Sequence, residues 1–183
     1  MTDILGFTLY PILSNSQNAP STLYYFDLQY ERGLSNDRSL LISLEKGRLA
    51  SSETFSNNIP LHKIETNSFA LTFEFREYYS NRKSSPLGFY SGLFYKHYFV
   101  KEKYYDYEEG TYNFYDSDKG NIFSLGGRIG YKFGDRIIFD PSVLLSIAYT
   151  SGLEIHDNPY DEMKWLRRFS FPVYLKLSIG YRF

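Results

Sequence analysis

The last segment of the chain alternates apolar and polar residues over its whole length. The apolar positions are Phe169, Phe171, Val173, Leu175, Leu177, Ile179, Tyr181 and Phe183, and Ser170, Lys176, Ser178 and Arg182 are among the residues between them. In a β-strand successive side chains point to opposite faces, so such a segment has one apolar and one polar face. At ~3.3 Å per residue the strand is long enough to cross a ~25 Å apolar band. The pattern predicts a closing strand with one face against an apolar medium.

The same alternation recurs along the chain and predicts eight strands. Their approximate bounds are residues 4–12, 22–31, 39–49, 67–79, 88–101, 121–133 and 137–150, with the eighth strand after residue 167. The predicted connections alternate between long and short, and the long ones include residues 50–66, 102–120 and 151–167. Long loops on one side and short turns on the other are typical of membrane-spanning barrels. The sequence therefore predicts an all-β fold, an eight-stranded antiparallel up-and-down transmembrane β-barrel, as a single domain over residues 1–183.

Composition agrees with a barrel and excludes some other classes. Aromatic residues make up 20% of the chain, with 19 Tyr and 16 Phe, and membrane barrels place such residues in girdles at both interfaces. A formal net charge of −1 argues against a nucleic-acid-binding surface. No run approaches the ~20 apolar residues of a membrane-spanning helix. The sequence gives no indication of a cofactor.

A soluble, lipocalin-like barrel is the structural alternative. It would turn the apolar face inward around a ligand and the charged face outward to water. The long and short connections on opposite sides, and the terminal Phe183, favour the membrane barrel.

The chain ends in a signature typical of bacterial outer-membrane barrels: Ile179, Gly180, Tyr181, Arg182 and Phe183. With this ending the chain resembles the small eight-stranded barrels of the OmpA-transmembrane and OmpX type. Within that group, residues 76–79 and 88–93 resemble an uncharacterised subfamily of small bacterial barrels. The resemblance implies a monomer in the bacterial outer membrane, in contact with lipid and lipopolysaccharide. It also implies that Ile179, Tyr181 and Phe183 form a signal for the barrel-assembly machinery during biogenesis. No signal peptide is visible, so we expect an exported protein in its mature form with an added initiator Met.

The polar strand faces predict what fills the barrel. An eight-stranded barrel is just wide enough inside for side chains to fill it, and buried charges persist only when they are paired. We therefore predict a lumen network of ion pairs and tyrosines. Its charged members are Asp27, Glu31, Glu45, Glu74, Arg76, Lys96, Arg128, Lys132, Asp140, Lys176 and Arg182. A narrow ion or small-solute channel along the same polar column is the alternative.

The predicted loop after the fifth strand mixes acidic and aromatic residues. Such a surface suits cationic or sugar-like ligands, or a protein partner, because Tyr offers contact area at low entropic cost. We expect strands five and six to continue as a hairpin above the membrane, and this hairpin can itself be the binding element. The candidate binding residues are Tyr104, Tyr105, Tyr107, Tyr112 and Tyr115, with Trp165 in the last long loop. Asp116 and Asp118 give only half of a calcium-loop pattern, so no metal site is predicted.

The histidines do not form a recognisable catalytic pattern. Lipid-modifying barrels need a His within hydrogen-bond reach of a nucleophilic Ser, and the deacylase type carries His-x-Ser on a late strand. Neither His97 nor His156 is followed by this pattern, and no catalytic residue is predicted. We expect a non-enzymatic integral outer-membrane barrel whose extracellular loops serve adhesion, the binding of an extracellular or envelope protein, or envelope integrity. A channel, and less favoured a lipid-modifying enzyme, are the alternatives.

Overall fold

The computed structural model describes residues 3–9, 22–55, 59–79, 87–108, 111–152, 169–171 and 173–183. These residues form β1 (Asp3–Leu9), β2 (Thr22–Gly33), β3 (Arg38–Phe55), β4 (Ile59–Tyr78), β5 (Gly88–Glu108), β6 (Thr111–Gly134), β7 (Ile137–Ser151), β8 (Phe169–Ser170) and β9 (Val173–Arg182). Both β8 and β9 pair with β7, so they are two parts of one barrel strand. In the described ranges there is no helix long and apolar enough to cross a membrane.

The strands close into a ring in sequence order. Each consecutive pair from β1 to β7 is antiparallel, and β9 completes the ring by pairing with β7 on one side and with β1 on the other. The predicted eight-stranded antiparallel barrel is therefore confirmed. Closure pairs the backbone groups that an open edge would expose, and this matters in lipid, where no water can replace those hydrogen bonds.

The two faces of the sheet have opposite polarity. Leu177 is 52% exposed and Phe73 is 43% exposed, whereas the neighbouring Lys176 and Glu74 are 4% and 1% exposed. Apolar side chains thus point outward and ionic side chains point into the lumen. The soluble, lipocalin-like alternative is wrong, because it requires the reverse arrangement.

Among the described residues, some strand pairings extend much further at one end of the barrel than others. β3 and β4 stay paired up to Phe55 and Ile59, and β5 and β6 up to Glu108 and Thr111. The pairing of β6 with β7 ends at Ser151. Among the described residues, β3, β4, β5 and β6 therefore continue beyond the other strands as a four-stranded extension.

This extension corrects one prediction and confirms another. The connection predicted for residues 50–66 is wrong, because most of it is strand. Its polar sequence looks like a loop, but continued antiparallel pairing satisfies the backbone groups of both strands at once. The expected continuation of strands five and six as a hairpin is confirmed. The connection predicted for residues 151–167 lies almost wholly outside the described residues.

Two short turns are described at the opposite end of the barrel. In residues 34–37, Ser35 Oγ donates a hydrogen bond to Asp37 Oδ1 at 2.6 Å. Between β6 and β7 the chain reverses at Gly134, whose φ of 120° favours glycine. A Cβ at this position would lie 2.0 Å from the carbonyl oxygen of Ile137, so the tight turn requires glycine there.

Candidate functional site

A fully buried arginine organises the part of the lumen nearest the short turns. The Arg76 guanidinium donates to Glu74 Oε1 at 2.7 Å through Nε, and to Glu31 Oε2 and Asp140 Oδ2 at 2.9 Å each through Nη1. These carboxylates come from three different strands, β2, β4 and β7. One side chain on β4 therefore links opposite walls of the barrel.

Two further cations balance this cluster. Lys132 pairs with Glu31, and Arg128 Nη1 lies 3.0 Å from Glu74 Oε2. With Arg76 they make three cations facing three carboxylates, so the cluster is formally neutral. Buried charges are tolerated where they are paired and hydrogen-bonded in this way.

Tyrosines and a serine complete the hydrogen bonding of the same carboxylates. Glu31 Oε1 accepts hydrogen bonds from Tyr78 at 2.5 Å and from Ser39 at 2.6 Å, and Asp140 Oδ1 accepts one from Tyr90 at 2.6 Å. The Tyr78 and Tyr90 rings pack with their centroids 5.3 Å apart. Neither Tyr78 nor Tyr90 was predicted as a site residue from the sequence. Strand alternation nevertheless turns both side chains inward, as it does Glu74 on β4 and Lys96 on β5.

A second group of ion pairs fills the lumen nearer the four-stranded extension. Lys176 Nζ donates to Asp27 Oδ2 at 2.5 Å, and Lys96 Nζ donates to Glu45 Oε2 at 2.5 Å. Gln29, the next inward residue of β2, also donates a hydrogen bond from Nε2 to Asp27 Oδ2 at 2.5 Å. Each ammonium again meets a carboxylate from a different strand.

Glycines make room for these long side chains. A Cβ at Gly92 would lie 2.8 Å from Glu74 Oε1, and a Cβ at Gly130 would lie 2.6 Å from the Tyr90 ring. Tyr90 is held by its hydrogen bond to Asp140, so its ring has little freedom to move away. The network can pack in this way because Gly92 and Gly130 have no side chain.

The described lumen leaves very little free space. A cavity of about 20 Å³ is lined by residues that include Gln29, Glu31, Lys132 and Asp140. This volume is on the order of a single water molecule. Beside the Arg76 cluster the described residues therefore leave room for no more than about one water molecule.

Most of the charged residues predicted for the lumen meet there, but one does not. The structure brings together Asp27, Glu31, Glu45, Glu74, Arg76, Lys96, Arg128, Lys132, Asp140 and Lys176. Arg182 instead pairs with the exposed Asp135 on the turn between β6 and β7. The prediction that Arg182 belongs to the lumen network is therefore wrong. Its position in the strand alternation is an inward one, but it lies at the end of β9, at the mouth of the barrel.

The raised hairpin of β5 and β6 carries stacked aromatic pairs. Ring centroids lie 6.0 Å apart for Tyr104 and Tyr115, and 5.0 Å apart for Tyr107 and Tyr112. Tyr105 packs edge-on against Phe114 at 5.8 Å. Tyr112, Phe114 and Tyr115 are 36%, 57% and 50% exposed, so they present a contact surface to the outside.

Not every candidate tyrosine is on that surface. Tyr104 is buried and donates a hydrogen bond to Glu102 at 2.8 Å, so its role as a contact residue is corrected. Burial and this hydrogen bond raise the pKa of Tyr104. Burial and the nearby carboxylates Asp106 and Asp116 raise the pKa of Tyr115. Its hydroxyl group therefore stays protonated and can donate a hydrogen bond. Trp165 lies outside the described residues.

The histidine whose surroundings the structure describes is part of an aromatic stack. The His97 ring lies 4.2 Å from the Phe99 ring and 4.5 Å from the Phe123 ring, and its Nε2 lies 3.0 Å from Asn121 Oδ1. The His62 side chain and His156 lie outside what the structure describes. Within the described ranges, His, Asp and Glu do not gather into a group that could hold a metal ion.

Known proteins share this architecture at low sequence identity. No protein-family model matches the chain, and no curated protein does. The crystal structure of Ail, the attachment invasion locus protein of Yersinia pestis, matches with 13% identity and a TM-score of 0.51, covering 100% of this chain and 98% of that one. A major outer membrane protein from Thermus thermophilus matches with 11% identity and a TM-score of 0.51, covering 100% and 99%. The chain therefore shares the eight-stranded antiparallel β-barrel fold of these two outer-membrane proteins.

A third structure adds no further argument. The N-terminal β-barrel domain of Pseudomonas aeruginosa OprF matches this barrel with 10% identity and a TM-score of 0.44, covering 100% of this chain and 96% of that one. At these identities the likeness concerns the fold alone. The apolar outer surface of the described strands is the surface that a membrane barrel turns to lipid, as the sequence predicted.

Proposed function

We propose that the protein is a non-enzymatic integral outer-membrane barrel that uses its raised β-sheet extension to bind an extracellular or envelope protein. The observation that carries the proposal is the difference in strand height. β6 begins at Thr111, whereas its pairing with β7 begins only at Asn121. A stretch of β6 with exposed aromatic side chains therefore extends beyond the last described residues of β7.

The chemistry of this stretch suits protein recognition. Tyr112, Phe114 and Tyr115 expose large rings that are already held by partners on β5. Rigid aromatic side chains lose little conformational entropy on binding and dominate many interfaces. Asp116 adds negative charge next to them, which favours a partner with a basic surface.

The filled lumen supports a binding role over transport. The ion-pair groups cross the interior, and the cavity beside Glu31, Lys132 and Asp140 has a volume of only about 20 Å³. Moving an ion through this space requires breaking buried ion pairs, at a cost of several kcal/mol for each uncompensated charge. We therefore place the channel second. The aromatic surroundings of His97 give no support to the lipid-modifying enzyme.

The name of one structural neighbour fits this kind of role. Ail is called an attachment invasion locus protein, which links a barrel of this fold to contact with other cells. We extend only the general idea of surface attachment to this chain, as part of the proposal. We further propose that the barrel acts as a monomer, because closure of the ring uses the strand pairing that an oligomer would otherwise need.

The test compares two sets of substitutions on the same strand. Cells that display the barrel are applied to immobilised extracellular-matrix proteins and to envelope-protein extracts. The triple variant Tyr112→Ser, Phe114→Ser, Tyr115→Ser is expected to lose at least ~10-fold in binding, because aromatic hot spots contribute roughly 2 kcal/mol or more each. The control Thr111→Ser, Asn113→Ser changes polar neighbours on β6 and is expected to bind normally. Equal binding by the triple variant and the native barrel contradicts the proposal.

A further inference from the structure

The outer surface of the barrel has a groove where its apolar belt ends. The groove has a volume of about 580 Å³ and crosses β3, β4, β5 and β6. Phe69 and Phe99 line one part of it, with ring centroids 6.3 Å apart. Lys46, Lys101 and Lys119 also line it, and strand alternation turns these side chains outward. The groove therefore combines an aromatic floor with a cluster of cations.

The height of the groove corresponds to the outer lipid headgroups. On β5 the outward positions run from Phe89 to Phe99, and the next outward residue is Lys101. At ~3.3 Å per residue and a strand tilt near ~40°, the distance from Phe89 to Phe99 covers the ~25 Å apolar band. The taller end of the barrel faces the outside of the cell, as long loops do in this fold. Lys101 thus lies just beyond the hydrocarbon, in the outer leaflet.

Two of the lysines lie directly opposite each other. Lys101 and Lys119 are register partners in the ladder of β5 and β6. Like charges at directly opposed positions destabilise a sheet. In the described part of the chain, no carboxylate forms an ion pair with either of them or with Lys46. A bound anion between the two ammonium groups would remove this repulsion.

An amide in the groove is oriented to assist an anion. Asn121 lines the groove, and its Oδ1 lies 3.0 Å from His97 Nε2. When the imidazole donates to that oxygen, the Asn121 amide nitrogen keeps its hydrogens for an acceptor in the groove. Asn67, the register partner of Lys101 on β4, lies on the other side. The polar part of the groove is thus rich in donors.

We propose that this groove binds the phosphorylated headgroup of an outer-leaflet glycolipid. A phosphate sits between Lys101 and Lys119, and the apolar part of the lipid lies along Phe69 and Phe99. Lysine is a suitable phosphate ligand because its ammonium is a compact point charge with three donors. The inference rests on the proposed function only for the location of the barrel in an outer membrane.

Native mass spectrometry of the detergent-folded barrel with purified bisphosphorylated lipid A tests the site. The variant Lys101→Gln, Lys119→Gln is expected to bind lipid A at least ~10-fold more weakly, since each charge-assisted hydrogen bond contributes about a tenfold change in affinity. Fully dephosphorylated lipid A is expected to bind the native barrel with a similar loss. The control Arg32→Gln, Arg136→Gln removes the same charge at the opposite end of the barrel and should leave lipid A binding unchanged. Equal affinity of the lysine variant and the native barrel overturns the proposal.

A stability measurement gives an independent answer. In a non-ionic detergent, Lys119→Gln alone should raise the unfolding midpoint, because it removes the repulsion from Lys101. In vesicles containing lipid A the same change should lower the midpoint, because the bound phosphate loses a ligand. A shift of the same sign in both media overturns the proposal. So does equal stabilisation by inorganic phosphate alone, which would identify a free anion as the ligand.

The two proposals fail in different ways. A heat-modifiability gel shows whether each lysine variant still forms a compact barrel. If the variant is folded and retains lipid A, the groove assignment is wrong, while partner binding by Tyr112, Phe114 and Tyr115 is unaffected. Loss of partner binding in the aromatic variant, with lipid A binding retained, leaves the groove assignment in place.

Discussion

Arg76 and Glu31, which are 45 residues apart in the chain, meet inside the barrel lumen at 2.9 Å. They lie on β4 and β2, which are separated in the sheet by β3, so the contact depends on the curvature of the closed ring. Around it, Lys132 and Asp140 help to complete a neutral cluster. This contact is the centre of the lumen network on which several of the following predictions depend.

Removal of the Glu31 charge should destabilise the barrel strongly. Glu31→Gln leaves Arg76 and Lys132 with an uncompensated buried charge, which typically costs about 3–5 kcal/mol. Urea unfolding in lipid vesicles measures the change. The control is Glu77→Gln, which breaks the exposed pair with Arg38 at 3.6 Å and should cost no more than about 1 kcal/mol. Equal effects of the two changes would contradict the central role of the cluster.

A methyl group at Gly130 should disturb the lumen, whereas one at Gly127 should not. The Cβ of Gly130→Ala would meet the Tyr90 ring at 2.6 Å, and overpacking of this kind costs about 1–3 kcal/mol. The Cβ of Gly127→Ala would have its nearest contact at 3.8 Å, with the carbonyl oxygen of Gly92. Urea unfolding of both variants gives the comparison. If Gly127→Ala is as destabilising as Gly130→Ala, backbone effects rather than the Tyr90 contact explain the result.

The Lys96 and Glu45 pair should show strong coupling in a double-mutant cycle. Lys96→Met alone leaves the Glu45 carboxylate buried without its ammonium partner, and we expect a loss of about 3 kcal/mol or more. The double variant Lys96→Met, Glu45→Leu removes both charges and should recover much of this loss. Unfolding free energies of the two single variants and the double variant provide the coupling energy. Additive losses would show that the two side chains act independently.

Planar-bilayer recordings should find the native barrel closed. Ion pairs cross the described lumen at two levels, and the cavity beside Glu31 and Asp140 has a volume of only about 20 Å³. The variant Glu45→Ala, Lys96→Ala should conduct more often, because it empties one part of the lumen network. Discrete current steps from the native protein that disappear on neutralising Arg128 would favour the channel instead.

The terminal Phe183 should matter for assembly more than for stability. Its backbone N–H donates to the Asp3 carbonyl at 3.1 Å, but its side chain is 73% exposed. We expect Phe183→Ala to slow insertion into vesicles that carry the barrel-assembly machinery, while refolding in detergent stays normal. Phe171→Ala, at a 71% exposed position between β8 and β9, is the matched control. If both variants insert equally fast, the C-terminal residue is not the assembly signal.

Sequence alternation was enough to predict which side chains point into the barrel and which point outward. Alternation along a strand follows from local backbone geometry, so the inward parity of Glu74, Lys96 and Lys176 was readable without any knowledge of their partners. The closed order of strands also followed from the run of alternating segments and short turns.

Which charges meet, and how far the described strands pair, could not be predicted from local patterns. Cross-barrel contacts such as Arg76 with Asp140 depend on the stagger and curvature of the closed sheet, which no local pattern encodes. For the same reason Arg182 has inward parity but lies at the turn end with Asp135. The raised extension depends on pairing between neighbouring strands, since polar segments such as residues 51–55 become strand when an adjacent strand satisfies their backbone.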